Sequence, residues 1–175
     1  MSSFALALLL AAGQMLEVRE GALRYTVVHK LHEVVGTTRQ IEGRALIEEG
    51  GSTKVQVRAK VASFDSGNSN RDAHMREATH EAAHPYATVK GTMSGLTWPL
   101  GAPLSATLRG TVELNGEKQP IEVPVKLEPA KDGVHATFSF PVSLEALKVE
   151  RPELLFIKVD DRMTISGDLI FGPAK

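Results

Sequence analysis

The chain contains no cysteine, which excludes a disulfide framework, a thiolate metal site, an iron–sulfur cluster and a cysteine nucleophile. Aromatic residues are scarce, with one Trp, two Tyr and six Phe among 175 residues, so a core has to be built mainly from aliphatic side chains. Charge of one sign is lacking too: 20 Lys and Arg face 21 Asp and Glu, for a formal net charge of -1. Without a basic excess no overall field draws the chain to nucleic acid, which is not expected as a partner. No serine lies in a nucleophile-elbow pattern and no glycine-rich phosphate loop precedes a helix. The apolar run Phe4–Ala12 is too short to cross a bilayer, so no integral membrane segment is expected.

That run does have the length of a signal-peptide core, and the small residues Ala11 and Gly13 suit cleavage after Gly13. Ser2 and Ser3 stand where such leaders usually carry a basic residue, and an N-terminal helix packed on the domain is the other reading. The expectation is a leader over residues 1–13, one domain over 14–175, and export to a periplasm or beyond. With no cysteine at the cleavage site, lipid anchoring is excluded.

What is abundant is alternation. In Thr53–Phe64 the residues Val55, Val57, Ala59 and Val61 share one face while Lys54, Gln56, Arg58 and Lys60 share the other, the pattern of a half-buried strand. Leu104–Leu114, Ile121–Leu127, Val134–Phe140 and Met163–Phe171 repeat it, and Leu23–His29, Thr37–Ile47 and Tyr86–Ser94 follow it more loosely. Asn115-Gly116 and Asp132-Gly133 fall between such runs and suit tight hairpins. Two segments depart from the period: 70–84, read as a helical insert opened by Asn70 or Asp72 and stopped by Pro85, and 143–149, read as one or two helical turns after Pro141.

Seven to nine strands with one apolar face each need a closed or two-layered sheet, and short hairpins favour an antiparallel barrel. The inward faces include Gly43, Ala45, Ala59, Gly91, Ala106, Gly110, Ala136 and Gly167. Small residues either leave an apolar cavity for a ligand or fit the taper of a filled core, as in a structural or stress-related barrel with no ligand, and the pattern does not choose between them.

His80-Glu81-Ala82-Ala83-His84 fits the zinc-protease string of two histidines one helical turn apart with a glutamate as base. Pro85 follows at once and disfavours helical geometry at His84. No later histidine completes the pattern, since the only one, His135, falls on the outer face of a strand. A metal-dependent hydrolase, or a looser metal site that includes His74, is therefore an alternative and not the first reading. Asp160-Asp161 reads as a solvated turn, His29 and His32 as surface residues, and Arg71 with Asp72 as a capping and ion-pair cluster at one barrel end.

The stretch Val61-Ala62-Ser63-Phe64-Asp65-Ser66-Gly67-Asn68, followed by Asn70-Arg71-Asp72-Ala73-His74-Met75 and by Pro85, resembles the signature of the YceI-like family of polyisoprenoid-binding, lipocalin-like proteins. Tyr25–His29 with Gly43, and Leu144–Ile170 with Ile157-Lys158-Val159-Asp160-Asp161, are weaker similarities on either side. The resemblance implies a mainly β fold, a single antiparallel eight-stranded barrel whose elongated interior holds an isoprenoid, quinone-like or fatty-acid chain, commonly in exported bacterial proteins. Where that family usually carries an aromatic pair, His80 and Glu81 stand here. The expected activity is binding or transport without covalent chemistry and without a cofactor, the partner being a long-chain lipid or isoprenoid. Val57, Ala59, Val61, Val89, Leu108, Val123, Val125, Phe138 and Phe140 are expected to line the space, with Arg71 and His74 near a polar head group. Oligomeric state, a homodimer included, is not fixed by the sequence.

Overall fold

The computed structural model describes residues 13–30, 32–154 and 157–175; the proposed leader core, Phe4–Ala12, lies outside them. The chain forms β1 (Gln14–His29), β2 (His32–Thr38), β3 (Ile41–Ile47), β4 (Thr53–Lys60), α1 (Ser69–Ala78), β5 (Tyr86–Met93), β6 (Leu104–Leu114), β7 (Glu117–Ala130), β8 (Gly133–Ser143), β9 (Glu153–Leu154), β10 (Ile157–Lys158) and β11 (Arg162–Pro173). Neighbours follow the order β11-β8-β7-β6-β5-β4-β3-β1, and β1 pairs back with β11, so the sheet closes into an eight-stranded antiparallel barrel. Closure leaves each apolar face turned to a common interior.

β2 and β3 are two halves of one strand. Leu23 pairs with Thr38 and Leu16 with Ala45, which is the same antiparallel register against β1. The interruption at Arg39-Gln40 lies opposite Gly21-Ala22, just past a bulge in β1, where the register against β11 slips between Val18 and Glu20. A bulge bends its strand and sharpens the local twist. The barrel therefore turns a corner here, and β2, which shares no ladder with β4 among the described residues, is bridged through Thr37 to Asp65 beyond the end of β4.

The hairpins follow the expected chemistry with one shift. Asn115 and Gly116 form the two-residue loop between β6 and β7, both at positive φ, as a type I′ turn requires. Between β7 and β8 the loop is Lys131-Asp132 and not Asp132-Gly133, since Ala130 pairs with Gly133. Gly133 has a different duty: a Cβ there would meet the Phe171 carbonyl oxygen at 2.1 Å. Pro124 points outward, and β7 pairs with β8 only from Val125 onward, so its missing N–H breaks no ladder bond.

The two expected helices come out shorter. α1 ends at Ala78 because Thr79 caps it and His80 takes positive φ, 47°. Its N-cap is Asn68, whose side chain accepts from the Arg71 N–H, not Asn70 or Asp72. Segment 143–149 is a hydrogen-bonded turn and not a helix: Leu147 N–H reaches the Ser143 carbonyl, but Val149 N–H reaches back to Leu144 and Lys148 has positive φ.

Connections gather at two ends. The end of β1 at His29, residues 61–85 with α1, the Asn115-Gly116 turn and residues 144–154 and 157–161 lie at one end; residues 48–52, 94–103 and the Lys131-Asp132 turn lie at the other. Near the second end Thr53 is fully buried, and its hydroxyl has no hydrogen-bond partner among the described residues. A buried unpaired hydroxyl is destabilising, so Thr53→Val is expected to raise the urea midpoint, by about 1 kcal/mol of stability. A lower midpoint would contradict this.

Candidate functional site: an apolar bore with one polar mouth

The barrel is not filled. It encloses a cavity of about 1230 Å³, larger than the roughly 300–1,000 Å³ typical of sites for drug-sized molecules. Its wall is overwhelmingly aliphatic. Val57 and Ala59 from β4, Val61 just beyond it, Val89 from β5 and Leu108 from β6 border the space. Val123 and Val125 from β7, and Phe138 and Phe140 from β8, continue the wall, and Arg71 and His74 of α1 border it at one end. All eleven residues singled out from the sequence thus meet around one volume.

The small inward residues divide into two kinds. Ala45, Ala59 and Ala136 border the cavity and leave it room. The glycines are compensated: a Cβ on Gly167 would lie 2.2 Å from the Phe138 ring, and one on Gly43 would lie 2.5 Å from Val18. Gly91 pairs with Gly110, where the backbones of β5 and β6 crowd so closely that a Cβ on Gly110 would meet the Lys90 oxygen at 1.9 Å. The vacancy therefore lies beside the alanines, and the glycines do not supply it.

At the α1 end the wall turns polar. His32, His74, Glu77, Lys148, Glu150, Glu153 and Lys158 border the cavity and are exposed, so this is its mouth. His29, expected on the surface, is buried, with Nε2 3.2 Å from the Ile157 carbonyl and its ring 5.7 Å from that of His32. Periodicity could not reveal this, because what covers it is 128 residues away.

One side of the mouth hangs on Ser66. Arg71 donates through Nε to the Ser66 hydroxyl at 3.0 Å and through a terminal nitrogen to the Ser66 carbonyl at 2.8 Å. Buried Asp72 accepts from the Ser66 N–H at 3.2 Å and from its hydroxyl at 2.5 Å. The capping and polar cluster foreseen at a barrel end is thus present, organised around a serine rather than a direct ion pair. Arg71 borders the bore from a fixed position. Tyr25 also lines it, and burial, followed by the nearby Asp72 charge, pushes its phenol above the ordinary range.

The opposite side of the mouth hangs on Asn115 and Asp161. Asn115 is buried and donates to the Leu147 and Lys148 carbonyls at 3.1 and 2.9 Å. Since its amide nitrogen is thereby committed, its oxygen accepts from His80 Nδ1 at 2.6 Å. Asp161 accepts from the Ser143 hydroxyl and the Glu145 N–H, each at 2.7 Å, rather than lying in a solvated turn. Those two bonds hold its carboxyl below the usual range, the Ser143 bond contributing most. A depressed carboxylate stabilises the fold above its unfolded pKa, 3.8, and loses that contribution as pH falls through the lower folded value. Asp161→Asn is accordingly expected to lower stability at pH 7 and to narrow its gap from the parent on acidification below about pH 4. A gap independent of pH would contradict the assignment.

The histidine string does not form the pair one helical turn apart that its spacing suggests. His80 lies past the end of α1 with positive φ and is bonded to Asn115, while His84 packs against Gly116. Among the described residues, no three His, Asp or Glu side chains gather closely enough to hold a metal ion.

An antiparallel barrel closed around an apolar, single-mouthed bore places the molecule among the lipocalin-like barrels. Residues 16–171 match the model of the YceI-like domain, and the chain belongs to that family. Solved structures share the fold at low identity. A polyisoprenoid binding domain from Saccharophagus degradans, implicated in plant cell wall breakdown, is 16% identical over 91% of this chain and 98% of its own, with a TM-score of 0.70. BcnA of Burkholderia cenocepacia is 17% identical over 86% and 95%, also at 0.70. The Campylobacter jejuni YceI protein is 14% identical over 85% and 89%, at 0.64. No curated protein matches.

Proposed function

We propose that this chain holds and transfers a long-chain amphiphile, of the isoprenoid, quinone-like or fatty-acid class, without covalent chemistry. The observation that carries the reading is the apolar bore of about 1230 Å³ opening at a polar rim. At about 30 Å³ each, some forty waters would fill it, and few wall groups could hydrogen-bond to them. Each methylene moved from water into such a space gains about 0.8 kcal/mol, so a chain of ten or more carbons is held without any directed polar contact. The relative from Saccharophagus degradans, described as polyisoprenoid binding, supports the ligand class.

In this reading Val57, Ala59, Val61, Val89, Leu108, Val123, Val125, Phe138 and Phe140 enclose the chain. Arg71 and His74 stand at the level of the head group. The apolar run before Gly13 supports work in an exported, periplasm-like compartment, where a lipid between membranes needs a carrier; N-terminal mass spectrometry of native material beginning at Gln14 is the expected outcome. The binding experiment is a titration of delipidated protein with an environment-sensitive polyene fatty acid. Saturable one-to-one enhancement, reversed by an unlabelled isoprenoid alcohol, is expected. Absence of saturable binding would remove the proposal.

A further inference from the structure

We infer that the barrel measures its ligand: the closed end of the bore, built from Leu16, Met93, Leu96 and Phe171, sets the longest apolar chain it accepts. This rests on the ligand-holding reading above and adds to it a specificity determinant.

The two ends of the cavity differ in kind. Its rim at α1 is exposed and charged, whereas at the far end Leu16, Leu96, Phe171 and Met93 border it with exposures of 1%, 2%, 7% and 8%. Leu96 does not come from a strand. It belongs to the 94–103 connection between β5 and β6, which folds across the barrel end and is pinned there by the Gly95 N–H bonded to the Gly51 carbonyl at 3.1 Å. Floor and mouth are separated by the stretch of β4 from Thr53, opposite Met93, to Val61 at its end. Eight residues of strand span roughly 26 Å, or about 20 Å along the axis at the usual barrel tilt.

A charged or hydroxylated head stays at the rim, because among the described residues the floor offers it no bordering polar side chain and desolvation there would go uncompensated. The apolar tail then runs toward Leu96. Every added methylene that still fits tightens binding about fourfold. Once the tail touches the floor, further methylenes remain at the mouth in water and add nothing. Affinity against chain length therefore rises and then breaks.

The break is movable from the floor. Leu96→Ala removes three carbons at the end of the bore and shifts it to chains longer by about two to three carbons. Ala45 borders the cavity beside the floor, paired with Leu16 and Val55; Ala45→Leu adds three carbons and shifts the break shorter by a similar amount. The two variants oppose each other, and Ala45→Leu fills space rather than opening it, so a folding defect in Leu96→Ala leaves the second arm intact.

The experiment is a competition titration of the delipidated parent and both variants with saturated straight-chain fatty acids of ten to twenty-two carbons against a polyene fatty acid. Breaks displaced in opposite directions are the expected result. A break that stays in place in both variants, or affinity that climbs without a break through twenty-two carbons, overturns the ruler and leaves the binding reading standing. Failure of every chain length to compete in the parent overturns the binding reading, and the ruler with it.

Discussion

Ala59→Phe is expected to lower affinity for a long-chain amphiphile at least a hundredfold while the protein stays folded. Ala59 is 2% exposed, borders the bore, and lies on β4 just below Val61 at the mouth. It pairs with Ala87 on one side and Ile41 on the other, so no large side chain crowds it from β5. A phenyl ring there turns into empty volume rather than into packed neighbours, which keeps the overpacking cost within about 1–3 kcal/mol. For a chain entering from the rim the ring is a stopper. Displacing even four methylenes to water costs about 3 kcal/mol, or two orders of magnitude in Kd. Titration with the polyene fatty acid beside a thermal melt separates the two effects. Unchanged affinity in a folded variant would place the ligand elsewhere.

Asn115→Ala is expected to destabilise the fold by about 3–4 kcal/mol. The side chain joins three segments that share no strand pairing: its own β6–β7 turn, His80 past α1, and the carbonyls of Leu147 and Lys148. Removing it leaves three polar groups without a partner, each worth about 1 kcal/mol, and places alanine at positive φ. Asn115→Gly keeps the backbone but not the bonds and should recover only the smaller, conformational share. A double-mutant cycle with His80→Ala, read from urea unfolding, is expected to return a coupling near 1 kcal/mol. Additive losses would mean that His80 and Asn115 do not act together.

Much of this architecture is written locally. Val55, Val57 and Ala59 against Lys54, Gln56 and Arg58 specify which side of β4 faces inward, and the same alternation places Leu108, Val123 and Phe138 on the wall. Period two is a property of neighbours, so it survives without knowledge of the rest of the chain. The vacancy was not legible: whether Gly167 leaves a hole depends on Phe138, which lies on the adjacent strand and folds over it. Nor was the floor legible, and of the mouth only Arg71 and His74 were, since Leu96, Val149 and Met75 reach the bore from non-strand segments whose docking is decided by distant partners. The histidine string misleads for the same reason. Its spacing suits a helix, but His80 is drawn out of helical geometry and bonded to a residue 35 positions away. Asp161 looked like a solvated acid until Ser143 and Glu145 closed on it.

The molecule itself can report whether its bore is used. Protein purified without detergent or affinity tag from the native host, extracted with organic solvent and analysed by mass spectrometry, is expected to release one amphiphile or a narrow homologous set in near-stoichiometric amount. The same extraction of Ala59→Phe should release almost none. Equal yields from the two proteins, or a clean extract from the parent, would contradict the carrier account.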